Sequence, residues 1–307
     1  MRVRMWLELS LLVFIFSLSG CSLDLEKIKG SINEGSTEPS YTCPSGYLYV
    51  PNDSPPGFCI AKYEMKDVGG VATSQAGGQP WGNINRDAAI AACQALGAGY
   101  DLISNSQWNI LSLNIIAVAD NWSSGAVTSG KINRGHFDNG FGPLLEAGGD
   151  DHPCYGYDFD GVGGPDAQAD LDAVCSPSLW HANRRTHKLS TNEYIWDLAG
   201  NSWEWLKENH SIGSEANKYI SDLVTAGGPL ATEYAPPSPL LCADPNMNDF
   251  CGMGYAWMSS PGGAIARGGS YYNGTDTGLF ALDLDNAPSY SNTHVGFRCV
   301  APATEIQ

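Results

Sequence analysis

Cysteine and histidine are the side chains in this sequence best suited to redox or metal chemistry, and their spacing limits both. The cysteines stand at Cys21, Cys43, Cys59, Cys93, Cys154, Cys175, Cys242, Cys251 and Cys299, with no Cys-x-x-Cys pair. The histidines, His136, His152, His181, His187, His210 and His294, show no His-x3-His spacing. Compact zinc and dithiol sites draw their ligands from such short spacings. The other chemistry available is recognition. Between Tyr271 and His294, ten of 24 positions are Tyr, Asn, Asp or His: Tyr271, Tyr272, Asn273, Asp276, Asp283, Asp285, Asn286, Tyr290, Asn292 and His294. Tyrosine offers rigid amphipathic contact area, and asparagine adaptable hydrogen bonding, at low entropic cost.

That segment is bracketed by Arg267-Gly-Gly-Ser270 and Gly296-Phe-Arg-Cys299, which read as structural fixtures. All four enriched residue types share the codon form NAY. Their NAR counterparts Lys, Gln and Glu are missing from the window. Leu279-Phe-Ala-Leu282, Leu284 and Ala287-Pro288 read as core anchors. The alternation of Leu282, Asp283, Leu284 and Asp285 sets the aspartates opposite the leucines.

Elements upstream must position this region. Tyr47-Leu-Tyr-Val50 and Phe58 to Met65 read as strands around a Pro/Gly turn. Asn85 to Leu96 reads as a helix with Asn85 as N-cap and Gly97 as stop, with Ala89, Ile90, Cys93 and Leu96 on one face. A second helix starts near Asn105 or Ser106, and Trp108, Leu111, Ile115 and Val118 form its apolar stripe. Residues 120–190 are rich in Gly, Asp, Asn and Pro, and little regular structure is predictable there. Asn192 to Leu206 ends in a short strand through Trp203 and Trp205, entered by the turn Leu198-Ala-Gly-Asn201.

Residues 1–20 read as a leader: Arg2 and Arg4 precede an apolar run too short to span a membrane. Leu18-Ser19-Gly20-Cys21 resembles the lipobox of bacterial lipoproteins, which implies lipidation of Cys21 and a membrane anchor. Ser22 lacks the Asp that favours inner-membrane retention in such proteins, so the expected location is the outer membrane or cell surface. Residues 21–42 read as the lipidated cysteine and a flexible linker, and residues 43–307 as one domain. The formal charge of −17 repels phosphate backbones and excludes nucleic acid as a natural partner. With Cys21 lipidated, an even set of cysteines remains in an oxidising compartment, where disulfides are the default. The count alone leaves connectivity open. Local logic favours Cys43 with Cys59 across the hairpin, Cys154 with Cys175, Cys242 with Cys251, and then Cys93 with Cys299.

Three segments together resemble the formylglycine-generating-enzyme-type (sulfatase-modifying factor) domain, a large variant of the C-type-lectin fold. They are the helix of Cys93 leading through Leu102-Ile-Ser-Asn-Ser-Gln-Trp108, the block Asp197-Leu-Ala-Gly-Asn-Ser-Trp-Glu-Trp205, and the frame Arg267-Gly-Gly-Ser270 with Gly296-Phe-Arg-Cys299. The resemblance spans residues 43–301. It implies an α+β, C-type-lectin-like fold, loop-rich and disulfide-stapled. The family's catalysts carry a copper-binding cysteine pair shortly after Gly-Gly-Ser, at places that fall near Asn273 and Gly278 here. Neither is a thiol, and a soft ligand and redox centre cannot be supplied by Asn or Gly. Related iron-dependent enzymes use a His-x3-His-x-Glu cluster that this chain lacks. The expectation is a non-enzyme without copper or iron. The family's calcium loop implies a structural Ca²⁺ held by Asp197 and Glu204 carboxylates with Gly200 and Ser202 carbonyls. Asp158-Phe-Asp-Gly161 also hints at a calcium turn.

The same scaffold is used by the variable proteins of diversity-generating retroelements, in which Asn codons are mutated at adenine, and residues 267–299 look like such a variable region. The resemblance implies a surface lipoprotein that binds an extracellular protein or glycan through a diversified C-terminal region. Tyr271, Tyr272 and Tyr290 would be aromatic anchors, and Asn273, Asp276, Asp283, Asp285 and His294 would set polar specificity. The alternatives are an undiversified binding or structural lipoprotein, or an enzyme of the formylglycine-generating type with altered chemistry.

Overall fold

The computed structural model describes residues 40–137, 144–149, 180–237 and 250–306. In chain order the strands are β1 (Ser40–Thr42), β2 (Tyr47–Val50), β3 (Phe58–Ala61), β4 (Lys66–Val68), β5 (Val71–Thr73), β6 (Asp101–Leu102), β7 (Thr186–Lys188), β8 (Tyr194–Trp196), β9 (Trp203–Asn209), β10 (Lys218–Tyr219), β11 (Tyr255–Trp257), β12 (Ala264–Arg267), β13 (Leu282–Asp283), β14 (Val295–Phe297), β15 (Cys299–Ala301) and β16 (Thr304–Ile306). The α-helices are α1 (Arg86–Gln94), α2 (Asn105–Ile116), α3 (Ile220–Ala226) and α4 (Gly228–Tyr234). None of the described helices is long and apolar enough to cross a membrane.

Both early helices begin where their capping residues dictate. Asn85 Oδ1 accepts from the Ala88 N–H at 2.9 Å, and α1 follows. At α2 the Ser104 hydroxyl accepts from Gln107 N–H at 3.1 Å while the Gln107 side chain accepts from Ser104 N–H at 3.0 Å, a reciprocal capping box. The helix stops at Ile116, so Val118 leaves the expected stripe and instead caps a short 3-10 turn. Trp108, Leu111 and Ile115 are fully buried. Each of the two aliphatic side chains contributes about 1.5–3 kcal/mol by leaving water.

The central layer is a six-stranded sheet in the order β10-β11-β13-β12-β9-β14. Its register sorts side chains cleanly. Trp257, Asp283, Ala266, Trp205 and Phe297 form one row across the strands, and Ala256, Leu282, Arg267, Glu204 and Gly296 the adjacent row. Successive residues point to opposite faces, so the two rows face two different cores. On one side Trp203, Trp205, Ala266 and Phe297 pack with Ala89 and Cys93 of α1. On the other, Leu206, Ile265 and Leu282 pack with Trp108, Leu111 and Ile115 of α2 and with Leu223 of α3.

A four-stranded sheet, β2-β3-β15-β6, carries the first hairpin. Strand β3 ends at Ala61, shorter than the run to Met65 expected from the sequence, because Met65 N–H turns away to Phe297 C=O at 3.1 Å. Strands β14 and β15 are separated by one residue, Arg298, and enter different sheets, so this short stretch ties the two together. The linker expected to run to residue 42 ends earlier. Ser40–Thr42 pair antiparallel with Thr304–Ile306, because the C-terminal strand offers an edge whose ladder bonds they complete. Residues 39–307 make up one compact unit.

Disulfides join Cys43 to Cys59 and Cys93 to Cys299. Cys251 is also disulfide-bonded. Cys154, Cys175 and Cys242 lie outside the described residues, as do Cys21, the leader and the Asp158–Gly161 turn.

Candidate functional site

The segment rich in Tyr, Asn, Asp and His begins where strand β12 ends. Gly268 and Gly269 turn the chain with φ of +90° and +82°, and a Cβ at Gly268 would meet the Leu198 carbonyl at 2.7 Å. Arg267 anchors the turn from below with no solvent exposure. Its guanidinium donates to the carbonyls of Tyr234 (2.9 Å) and Phe280 (3.2 Å) and to Asn105 Oδ1 (2.6 Å). Burial lowers its pKa to about 9, with Tyr234 and Glu233 acting in the opposite direction. At the other end Arg298, also fully buried, forks onto Glu204 (2.7 Å and 3.1 Å) and donates to the carbonyls of Ala61 and Trp196. Both frame arginines are spent entirely inside the protein.

Between the frames, none of the ten singled-out residues is buried, and Tyr272 is the most exposed at 43%. The structure divides them by what they already do. Asn273 Oδ1 accepts from both the N–H and the hydroxyl of Ser270, each at 2.8 Å. Asp283 accepts from Asp285 N–H (2.8 Å) and Asn286 Nδ2 (2.9 Å). Asp285 accepts from the Ser259 hydroxyl and Ser260 N–H. Asn292 bridges the Tyr290 hydroxyl and Thr293. These side chains hold turns as well as facing outward, a double duty that composition alone did not reveal.

The aromatic members cluster. His136 stacks on Tyr271 at 5.6 Å, Tyr271 meets Tyr272 edge-on at 5.6 Å, and Tyr272 meets His294 edge-on at 4.7 Å, with a 2.9 Å hydrogen bond between the phenol and Nε2. Tyr290 packs edge-on against Trp205 at 6.3 Å. Burial lowers the His294 pKa and raises that of the Tyr272 phenol. Asp283 is pushed up to about 6, chiefly by burial.

The catalytic positions implied by the resemblance are filled structurally. Asn273 closes the turn just described. At Gly278 a Cβ would lie 2.3 Å from the Gly252 carbonyl oxygen and 2.5 Å from the Met253 carbonyl carbon, so no side chain fits without moving that backbone.

The expected calcium ligands do not fit a calcium ion. Asp197 gives both carboxylate oxygens to Arg185 (2.8 and 2.6 Å), and Glu204 gives both of its oxygens to Arg298. Gly200 and Ser202 offer only backbone carbonyls, which make no cation site once both carboxylates are taken by guanidinium groups. Guanidinium groups stand where the cation's charge would be needed.

Behind this loop lies a buried polar group that the sequence reading missed. Asn201 (φ +59°) donates to Glu64 at 2.6 Å and accepts from the His136 ring at 2.9 Å, linking the interior to the stack under Tyr271. Burial, with Asp197 nearby, raises Glu64 to about 8, and burial lowers His136 to about 3. Among the described residues, Glu64 Oε1 and Lys66 Nζ find no hydrogen-bond partner. The Glu-x-Lys alternation at 64–66 offered no signal, since such pairs are usually solvated.

Solved structures similar to the chain include the Major Tropism Determinant I1 variant, 14% identical with a TM-score of 0.38, covering 88% of this chain and 55% of that one. Variable protein 1 of Treponema denticola is 14% identical with a TM-score of 0.34, covering 87% and 96% of the two chains. PvdO from Pseudomonas aeruginosa is 13% identical with a TM-score of 0.33, covering 86% and 92%. The chain thus spans little more than half the length of the Major Tropism Determinant. None of the curated proteins matches it. Residues 178–303 match the family model of the sulfatase-modifying factor enzyme 1-like domain, and the described residues combine helices and sheets in an α+β fold.

Proposed function

We propose that this chain is a surface-displayed lipoprotein that binds ligands, without catalysis, through a diversified C-terminal region on a rigid scaffold. The observation that carries the reading is a contrast within residues 267–299. Arg267, Gly268, Gly269 and Ser270 at one end and Val295 to Cys299 at the other are buried, whereas all ten Tyr, Asn, Asp and His residues between them reach the surface. A preformed frame lowers the ordering cost of association, so side chains can change while the backbone holds. Tyr271, Tyr272 and Tyr290 supply aromatic anchors, and Asp276 and His294 lie among the polar contacts. The partner is an extracellular protein or a glycan, and the lipid on Cys21 holds the protein at the membrane. Asn273 and Gly278, at the places of the family's thiols, support the non-catalytic reading.

The neighbouring DNA tests the diversification. A near-copy of the 267–299 coding segment, with AAY codons at the ten positions and a reverse-transcriptase gene nearby, is expected; a complete genome without one sinks the idea. For the anchor, Cys21→Ala should move the protein from the membrane to the soluble fraction, and unchanged partitioning would remove the lipid from the account.

A further inference from the structure

One row of rings on the central sheet lies largely outside the variable segment. Tyr219 of β10 meets Tyr255 of β11 at 4.9 Å and 81°, Tyr255 meets Trp257 at 4.9 Å and 66°, and Trp257 meets Trp203 of β9 at 5.4 Å and 82°. Trp203 is buried, but Tyr219, Tyr255 and Trp257 all keep part of their surface in water. The three contacts are edge-to-face, with ring planes at 66–82°, and the part-exposed rings Tyr219, Tyr255 and Trp257 offer the surface that remains. Asp283 is the register partner of Trp257 on the adjacent strand, and the Tyr219 phenol hydrogen-bonds the Asp276 carboxylate.

We propose that this aromatic row is a fixed platform which, completed in this chain by Asp283 beside it, forms a subsite for a cationic group on the ligand, a protonated or quaternary ammonium. The proposal rests on the reading that this face binds ligands, and adds the chemistry of one part of it. Ring faces present negative charge to a cation. Each oxygen of Asp283 already accepts one intramolecular bond and keeps a further lone pair for a ligand. The groups acting on Asp283 are Asp285 and Asn286, with no basic side chain among them, whereas Asp276 already has Arg134 nearby. The surrounding chain is strongly acidic, with a formal charge of −17. A neutral sugar could stack on the rings, but it would leave the Asp283 charge unanswered.

Choline, its uncharged isostere 3,3-dimethylbutan-1-ol, and galactose are each titrated into the full chain by calorimetry. Saturable binding is expected for choline alone. Trp257→Ala and Tyr255→Leu should each weaken it at least tenfold, and Asp283→Asn about tenfold, with melting temperature recorded for each variant. Tyr255→Leu keeps the site testable should Trp257→Ala fail to fold. Equal binding of the isostere, binding of galactose alone, no binding of any probe, or full affinity in a folded Tyr255→Leu protein would overturn the proposal. The result is independent of the template search. Choline binding without a template would retain the subsite and discard diversification; a template without choline binding would do the reverse.

Discussion

Glu204 and Arg298 are both without solvent exposure, and the pair joins β9 to the end of β14 while Arg298 also reaches β3 and β8. Replacing Glu204 with Ala leaves a buried guanidinium charge unanswered, which costs roughly 3–5 kcal/mol. The loss in melting temperature should be the same with and without EDTA; a variant whose deficit appears only when metal is present would restore the calcium reading. Glu64 makes a second prediction. Its folded pKa of about 8 lies above the ordinary 4.5, so folding favours the protonated carboxyl. That contribution is complete below pH 4.5 and is lost as pH rises toward 8. Asp197, Glu204, Lys66 and Arg298 act on the same carboxyl. Glu64→Gln should therefore melt higher than the parent at pH 8 and show a flatter profile from pH 5 to 8, and parallel profiles would refute the assignment. Glu204 and Asp197 were visible in the sequence as conspicuous carboxylates, but their partners were not. Arg185 and Arg298 are 12 and 94 residues away, and only the folded chain brings them together.

At the scale of elements, legibility followed length and local chemistry. Helices α1 and α2 announced themselves through Asn85 and Ser104, whose caps act within three residues. The central sheet was harder to read. Strands β10 and β13 are two residues long, too short to show alternation, and β11 pairs parallel with β13 across a long stretch of chain. Tyr255-Ala-Trp257 carries a strand signal in its alternating aromatics, but over three residues only. Helices α3 and α4 are each seven residues long, separated by a positive-φ Gly227, so each offers only about two turns of periodicity to read. The Cys93–Cys299 bond clips α1 to β15 across a sequence separation of 206 residues. Removing it with the paired change Cys93→Ser and Cys299→Ser should cost about 2–5 kcal/mol, read as an earlier denaturation midpoint with an unchanged slope. A midpoint equal to the parent's would mean that packing alone fixes the clip.

For the molecule as a whole, the decisive stretch is residues 295–301, which supplies β14 to one sheet and β15 to the other. Ending the chain at His294 should remove cooperative melting altogether, because both sheets lose a strand and Glu204 loses Arg298. A truncated protein with a sharp transition would show that the sheets stand independently. Both sheets thus depend on the same last residues, which accounts for buried frame residues lying directly beside the exposed Tyr, Asn, Asp and His side chains. The pairing of β1 with β16 adds a mechanical consequence. Tension arriving through the residues before Ser40 loads a ladder of three residue pairs, which opens before any core strand is touched. One residue beyond it, Cys43 is welded to Cys59 in β3. The ladder serves as a shear pin and the disulfide as a hard stop, so a pull on that end can free a few residues while the two sheets keep their shape.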